Sequence, residues 1–235
     1  MVGTRTLMIA IAATLTPAAG LSAQDEIYPA YDPVNYYRVY LSPARHTDAG
    51  ARGECNGMNE NTMAYWVAWD ATNADYYNDV PNQTSDGRNL TTRGYEVRIG
   101  TGTLQSAINN SNAWGADLHI PLHSNAGTGT CGSTNPGSFG TNLIYRSGSA
   151  AGQALASDLL GSIGPVSPGT HDYSCYNPGD PCTAIDLGEL RDIYAVAAYI
   201  ESEFHTWTIG TDWLWSDYTW RWRIGVGVDQ YLGYP

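Results

Sequence analysis

The sequence contains no lysine, and its eleven arginines stand against twenty-three acidic residues, for a formal net charge of -12. Nucleic acid and anionic membrane surfaces are recognised through basic patches, so this balance argues against both as partners. No uninterrupted apolar run reaches about eighteen residues, the length at which a membrane-spanning helix becomes credible. No close CxxC pair is present, so the four cysteines do not read as a structural zinc site. Internal repeats and domain linkers are also absent. With 235 residues, what remains is one well-buried domain.

The N-terminus carries an export pattern. Arg5 precedes a short apolar stretch, Leu7 to Leu15, and Ala18 to Ala23 is a run of mostly small residues. Residues 1–23 therefore read as a secretory signal peptide, and residues 24–235 as the mature domain beginning at Gln24. The expected location is secreted, extracellular or cell-wall associated, with no transmembrane segment after cleavage. Four cysteines in an exported chain predict two disulfides, with three possible pairings. Cys175 and Cys182 close a short loop. Cys55 and Cys131 each follow a histidine cluster, and a sheet would bring those two loops together. The expected pairs are Cys55–Cys131 and Cys175–Cys182. Seventeen tyrosines and eight tryptophans suit a folded protein with an aromatic surface or groove. Carbohydrate contact is one reason for such rings and core packing is another. Self-assembly through that surface is allowed but not predicted.

Strand-favouring segments occur at 36–42, 95–99, 117–123, 141–145 and 196–200. Helices are expected from Glu60 onward, with Met63, Trp66, Val67, Ala71 and Ala74 on one face, and over 104–114, 149–160 and 218–232. In the last, Trp220, Ile224, Val228 and Tyr231 share a face. Residues 187–193 read as a short strand or a turn. Residues 24–34 read as a lead-in arm, and 78–93, 126–139 and 161–186 as long polar loops. This alternation predicts an α/β fold, a single domain whose twisted, mostly parallel open sheet is flanked by helices.

Two clusters carry candidate chemistry. One runs from Arg45-His46 through Asp48 and Gly50 and closes at Glu60; the other is His119-Ile120-Pro121-Leu122-His123-Ser124-Asn125-Ala126. His46 and His123 fall near the carboxyl ends of strands, where open α/β sheets build their sites. His119 shares a strand face with His123 but lies about 13 Å back along it, so it reads as packed or hydrogen-bonded. A catalytic zinc takes three protein ligands and keeps a position for water. Spacing alone does not separate such ligands from ordinary polar groups.

The array His46, Gly50, Glu60, Asn112-Ala113-Trp114-Gly115-Ala116-Asp117, His123-Ser124-Asn125-Ala126 and Tyr199-Ile200-Glu201 resembles the zinc-dependent N-acetylmuramoyl-L-alanine amidases of the cell-division and sporulation type. The likeness spans about residues 36 to 233. It implies Zn2+ held by His46, Glu60 and His123, with Glu201 as general base and acid. The implied partners are the stem peptide and glycan of peptidoglycan, cut at the amide between the muramic lactyl group and L-alanine. Glu203 has the side-chain parity of Glu201 and competes for its role. Asn125 shapes the turn after His123 and stands with His205 and Glu203 as a substrate-side candidate; Asp48 is a candidate partner of a ligand ring. His171 and His205 are candidate stabilisers of developing charge. The chain departs from the family pattern at Pro43-Ala44-Arg45 and Thr47-Asp48-Ala49-Gly50 around the first histidine. Two further readings stand beside this one: a non-catalytic binding or structural protein on the same fold, and a zinc amidohydrolase for another peptide or glycan.

Overall fold

A computed structural model describes residues 25–31, 34–45, 53–73, 89–127, 130–132, 139–179, 185–216 and 220–234. The expected signal peptide and Gln24, and with them His46, Asp48, Gly50 and Cys182, lie outside the described residues. Seven strands form one sheet in the order β1-β3-β2-β4-β7-β5-β6. Their spans are β1 Glu26–Tyr28, β2 Arg38–Pro43, β3 Glu96–Ile99, β4 Leu118–Asn125, β5 Asn142–Arg146, β6 Tyr173–Asn177 and β7 Val196–Phe204. The central neighbours β3, β2, β4 and β7 are parallel to one another. β1 runs antiparallel to β3, and the β5–β6 pair runs antiparallel to β7. The sheet is mixed and mostly parallel, in a single α/β domain, as expected.

Central strands covered on both faces need near-continuous apolar runs, and β2 and β4 supply them. Val39, Leu41, Leu118, Ile120, Leu122 and Ile200 belong to the main core. Helices α1 Glu60–Thr72, α3 Ala150–Ile163, α5 Thr208–Ser216 and α6 Arg223–Leu232 contribute to it. Asn59 caps α1 by accepting from the Thr62 N–H at 3.1 Å. Where α3 and α6 cross, a Cβ on Gly227 would lie 2.8 Å from the Leu159 Cα, so only glycine permits that approach. On the opposite face, α2 (Leu104–Trp114) and α4 (Gly188–Arg191) cover a smaller cluster that includes Ile108, Ile144, Leu190 and Tyr199. Arg221 and Asp70 form a buried ion pair that joins the approach to α6 to helix α1.

Several local expectations are corrected. The lead-in arm contains β1, an edge strand of three residues. β6 lies within the expected 161–186 loop, where pairing with β5 supplies its order. Residues 187–193 contain the short helix α4, not a strand. Helix α5, Thr208–Ser216, follows β7 where no element was expected, and α6 starts at Arg223, after Trp220. β7 continues to Phe204, so Glu201 and Glu203 lie within the strand.

Cys55 and Cys131 are disulfide-bonded with Cα atoms 4.9 Å apart, as expected. The bridge joins the loop before α1 to the chain after β4. Cys175 is also disulfide-bonded. Among the described residues, no helix is long and apolar enough to cross a membrane.

Candidate active site

The site grows from the carboxyl ends of β4 and β7 and the first turn of α1. His123 pairs in register with Glu201 on the neighbouring parallel strand. Glu60, the first residue of α1, is buried and reaches the same point. Its Oε1 accepts the Ser124 N–H at 2.7 Å and lies 3.3 Å from His123 Nδ1. The position of Glu60 is fixed in turn by its own N–H, which donates to the Glu54 carboxylate. The other side of the imidazole stacks on Tyr199, with ring centroids 4.6 Å apart and planes 19° from parallel. Ser202 Oγ donates to the His123 carbonyl at 3.0 Å, locking β4 to β7 beside the paired residues.

Electrostatics follow from this packing. Burial by itself depresses the His123 pKa, but the hydrogen bond and charge of Glu60, with the charges of Glu201 and Glu189, raise it overall. Burial also raises Tyr199 well above the ordinary phenol range, reinforced by the charges of Glu201, Glu189 and Glu60. His123 is therefore biased toward imidazolium, and Tyr199 is a neutral ring. The side chain of His123 is 14% exposed, so the cluster meets solvent at the sheet edge.

Other sequence candidates fall elsewhere. Glu203 is buried and directed at the 167–169 loop: its carboxylate accepts Ser167 Oγ at 2.7 Å and the Gly169 N–H at 3.1 Å. Burial raises its pKa, against the lowering effect of these donors and the Phe204 N–H. A register shift explains the divergence from Glu201. His123 pairs with Glu201, but Asn125 pairs with Phe204, so an extra residue in β7 interrupts the alternation on which side-chain parity depends. His205 is also buried. Its Nδ1 lies 2.9 Å from Ser124 Oγ, and its carbonyl accepts the Cys55 N–H at 2.9 Å. Asn125 turns onto its own chain, its Oδ1 accepting the Ala126 N–H at 2.7 Å. His171 packs beside Tyr173, with ring centroids 5.1 Å apart.

The expectation of a Zn2+ cofactor is corrected. Among the described residues, no group of three or more His, Cys, Asp or Glu side chains is placed to hold a metal ion. Glu60 Oε1 is engaged by the Ser124 amide and the His123 ring. His46, the third expected ligand, lies outside the described residues.

His119 is packed and hydrogen-bonded, as expected, within a polar cluster beneath the site whose other members the sequence did not single out. His119 stacks on Tyr40, with centroids 5.2 Å apart and planes 9° from parallel. Its Nδ1 lies 3.0 Å from Ser111 Oγ and its Nε2 3.2 Å from Glu189 Oε1, and Ser42 Oγ donates to the same Glu189 oxygen. All five residues are buried. The available signal was a histidine and a glutamate set among apolar neighbours, where such groups must find partners.

No family model and no curated protein matches the chain. Solved structures do. The catalytic domain of CwlV, an N-acetylmuramoyl-L-alanine amidase from Bacillus (Paenibacillus) polymyxa var. colistinus, aligns over 85% of this chain and 99% of its own, at 18% identity and a TM-score of 0.60. N-acetylmuramoyl-L-alanine amidase AmiC2 of Nostoc punctiforme aligns over 85% and 99%, at 16% identity and a TM-score of 0.64. An N-acetylmuramoyl-L-alanine amidase from Clostridium difficile 630 aligns over 83% and 94%, at 17% identity and a TM-score of 0.59. At these identities the likeness establishes architecture. The chain has the fold of the N-acetylmuramoyl-L-alanine amidases.

Proposed function

We propose that the protein is a secreted hydrolase of peptidoglycan that cuts the amide between the muramic lactyl group and L-alanine. The observation that carries this reading is the pairing of His123 with Glu201 at the carboxyl edge of the sheet, with Glu60 against the imidazole. The shared fold supports the choice of substrate class.

In this reading Glu201 is the general base. It takes a proton from a water molecule as the water oxygen attacks the scissile carbonyl carbon. The carbonyl oxygen gains negative charge, and the imidazolium of His123, favoured by Glu60, stabilises it electrostatically. Collapse of the tetrahedral species breaks the C–N bond, and Glu201 returns its proton to the departing amine. The products are a lactyl carboxylate on the glycan and a peptide with a free N-terminal L-alanine. Tyr199 orients the imidazole. Glu203 and His205 hold the strand and loop behind the site, and Asn125 shapes the turn beyond His123. Stem peptide and glycan are the proposed partners, and the cell wall the proposed location.

The test is to incubate the purified mature protein with intact peptidoglycan from several wall chemotypes. Stem peptides with a new N-terminal L-alanine should accumulate with wild type and not with Glu201→Gln. Absence of such peptides across all chemotypes would overturn the assignment in favour of a binding protein on the same fold.

A further inference from the structure

A second feature lies at the opposite end of the sheet. A cleft of about 670 Å3 opens at the amino ends of β2, β3 and β4, where Ile27, Val34, Tyr36, Arg38, Glu96 and Asp117 line it. Asp117 precedes His123 by six residues, so the cleft is about 20 Å from the candidate active site along β4. Its volume falls within the range of about 300–1,000 Å3 typical of small-ligand sites.

Tyr36 sets this cleft apart from an incidental groove. Its backbone φ is 69°, in the left-handed region, and its side chain is 87% exposed. A bulky residue at positive φ is a conformational outlier, held only when its surroundings impose it. The neighbours do so here. The Asn35 N–H donates to the Gly94 carbonyl and its side-chain amide to the Arg93 carbonyl, both at 3.0 Å, while Asn35 Oδ1 accepts the Tyr37 N–H at 3.0 Å. The chain thus presents a large ring to water in an unfavourable conformation.

The polar rim narrows the ligand chemistry. The Arg38 guanidinium donates to the Trp114 carbonyl at 2.9 Å and lies 3.5 Å from the Glu96 carboxylate. Asp117 accepts the Arg38 backbone N–H at 2.8 Å. One guanidinium stands against two carboxylates, leaving planar hydrogen-bonding groups and no net positive field for an anion. The chain's charge of -12 further disfavours polyanions. An open aromatic face beside apolar side chains and planar hydrogen-bonding groups complements a neutral pyranose, which has one C–H face and a rim of hydroxyls. We infer that this cleft is a binding site for a neutral glycan, with Tyr36 as its stacking platform and Arg38, Glu96 and Asp117 as hydroxyl partners. The inference does not depend on the amide-hydrolysis reading, because the cleft is remote from Glu201 and binding is measured without turnover.

The experiment is a calorimetric titration of the mature protein with the β-1,4-linked tetramer of N-acetylglucosamine, repeated on Tyr36→Ala, Tyr36→Trp and Tyr36→Gly. Saturable binding is expected for wild type and Tyr36→Trp, weakened by about tenfold or more in Tyr36→Ala. Tyr36→Gly separates a binding role from a structural one: relief of the backbone strain raises the thermal midpoint while binding is lost. No saturation by about 10 mM tetramer in wild type, equal binding by Tyr36→Ala, or a lower midpoint in Tyr36→Gly would each overturn the inference. Concentration-dependent self-association that Tyr36→Ala abolishes would overturn it in favour of a second copy of the chain.

Discussion

Two histidines on one strand, four residues apart and on the same face, have opposite surroundings. His119 is fully buried, stacked on Tyr40 and tied to Ser111 and Glu189. His123 sits where the strand reaches the sheet edge, with Glu60 on one side, Tyr199 on another and Glu201 in register across β7. Residue type and face are identical, so depth along the strand makes the difference. Deep in the sheet an imidazole must have every polar atom answered and becomes scaffold. At the edge it meets solvent, carboxylates and a substrate path.

The comparison predicts separable failures. The largest is in catalysis: Glu201→Gln keeps shape and packing but removes the base, and should lower hydrolysis by about 10²–10⁴-fold with little change in thermal midpoint. Equal activity in the mutant would remove Glu201 from the mechanism. His119→Ala should do the reverse, costing about 3 kcal/mol of stability by leaving Glu189 and Ser111 without their ring partner. The folded fraction should keep its activity per molecule. Denaturant melts and active-site-normalised rates check both halves, and a selective rate loss at unchanged stability would show that His119 is no mere scaffold.

Smaller effects sharpen the division between site and scaffold. Gly227→Ala places a methyl against Leu159 at the α3–α6 crossing and should cost about 1–3 kcal/mol, again without changing the rate per folded molecule. Glu203 provides the pH test. Its folded pKa is raised, so the folded state binds the proton more tightly than the unfolded state. Its contribution is greatest below the ordinary glutamate value and is lost as pH rises through the raised pKa. Glu203→Gln should flatten that decline in a pH series of melting curves, and an unchanged slope would contradict the assignment.

How much of this was legible in the sequence depends on the element. The central strands could be read from their short β-favouring apolar segments, and α1 from the helical spacing of its apolar residues. β1 has three residues and no measurable period; β6 is a polar segment ordered by β5; α5 is crowded with aromatics whose burial only the tertiary contacts define. At the site, Glu60, His123 and Glu201 stood out through the family resemblance, because spacing alone does not separate them from ordinary polar groups. The bulge that separates Glu203 from Glu201 has no local signature, because register is set between strands. The partners of Glu60 were hidden for the same reason: an amide and a ring from β4 take up its carboxylate oxygen, a long-range arrangement that the spacing of expected metal ligands does not reveal.

The most direct test of the central claim is to locate the bond that is cut. Peptidoglycan digested by the wild-type protein in 18O-labelled water should yield muramic acid with one labelled oxygen in its lactyl carboxylate and peptides with an unlabelled N-terminal L-alanine. Label in a peptide carboxylate, with none in the lactyl carboxylate, would contradict the account.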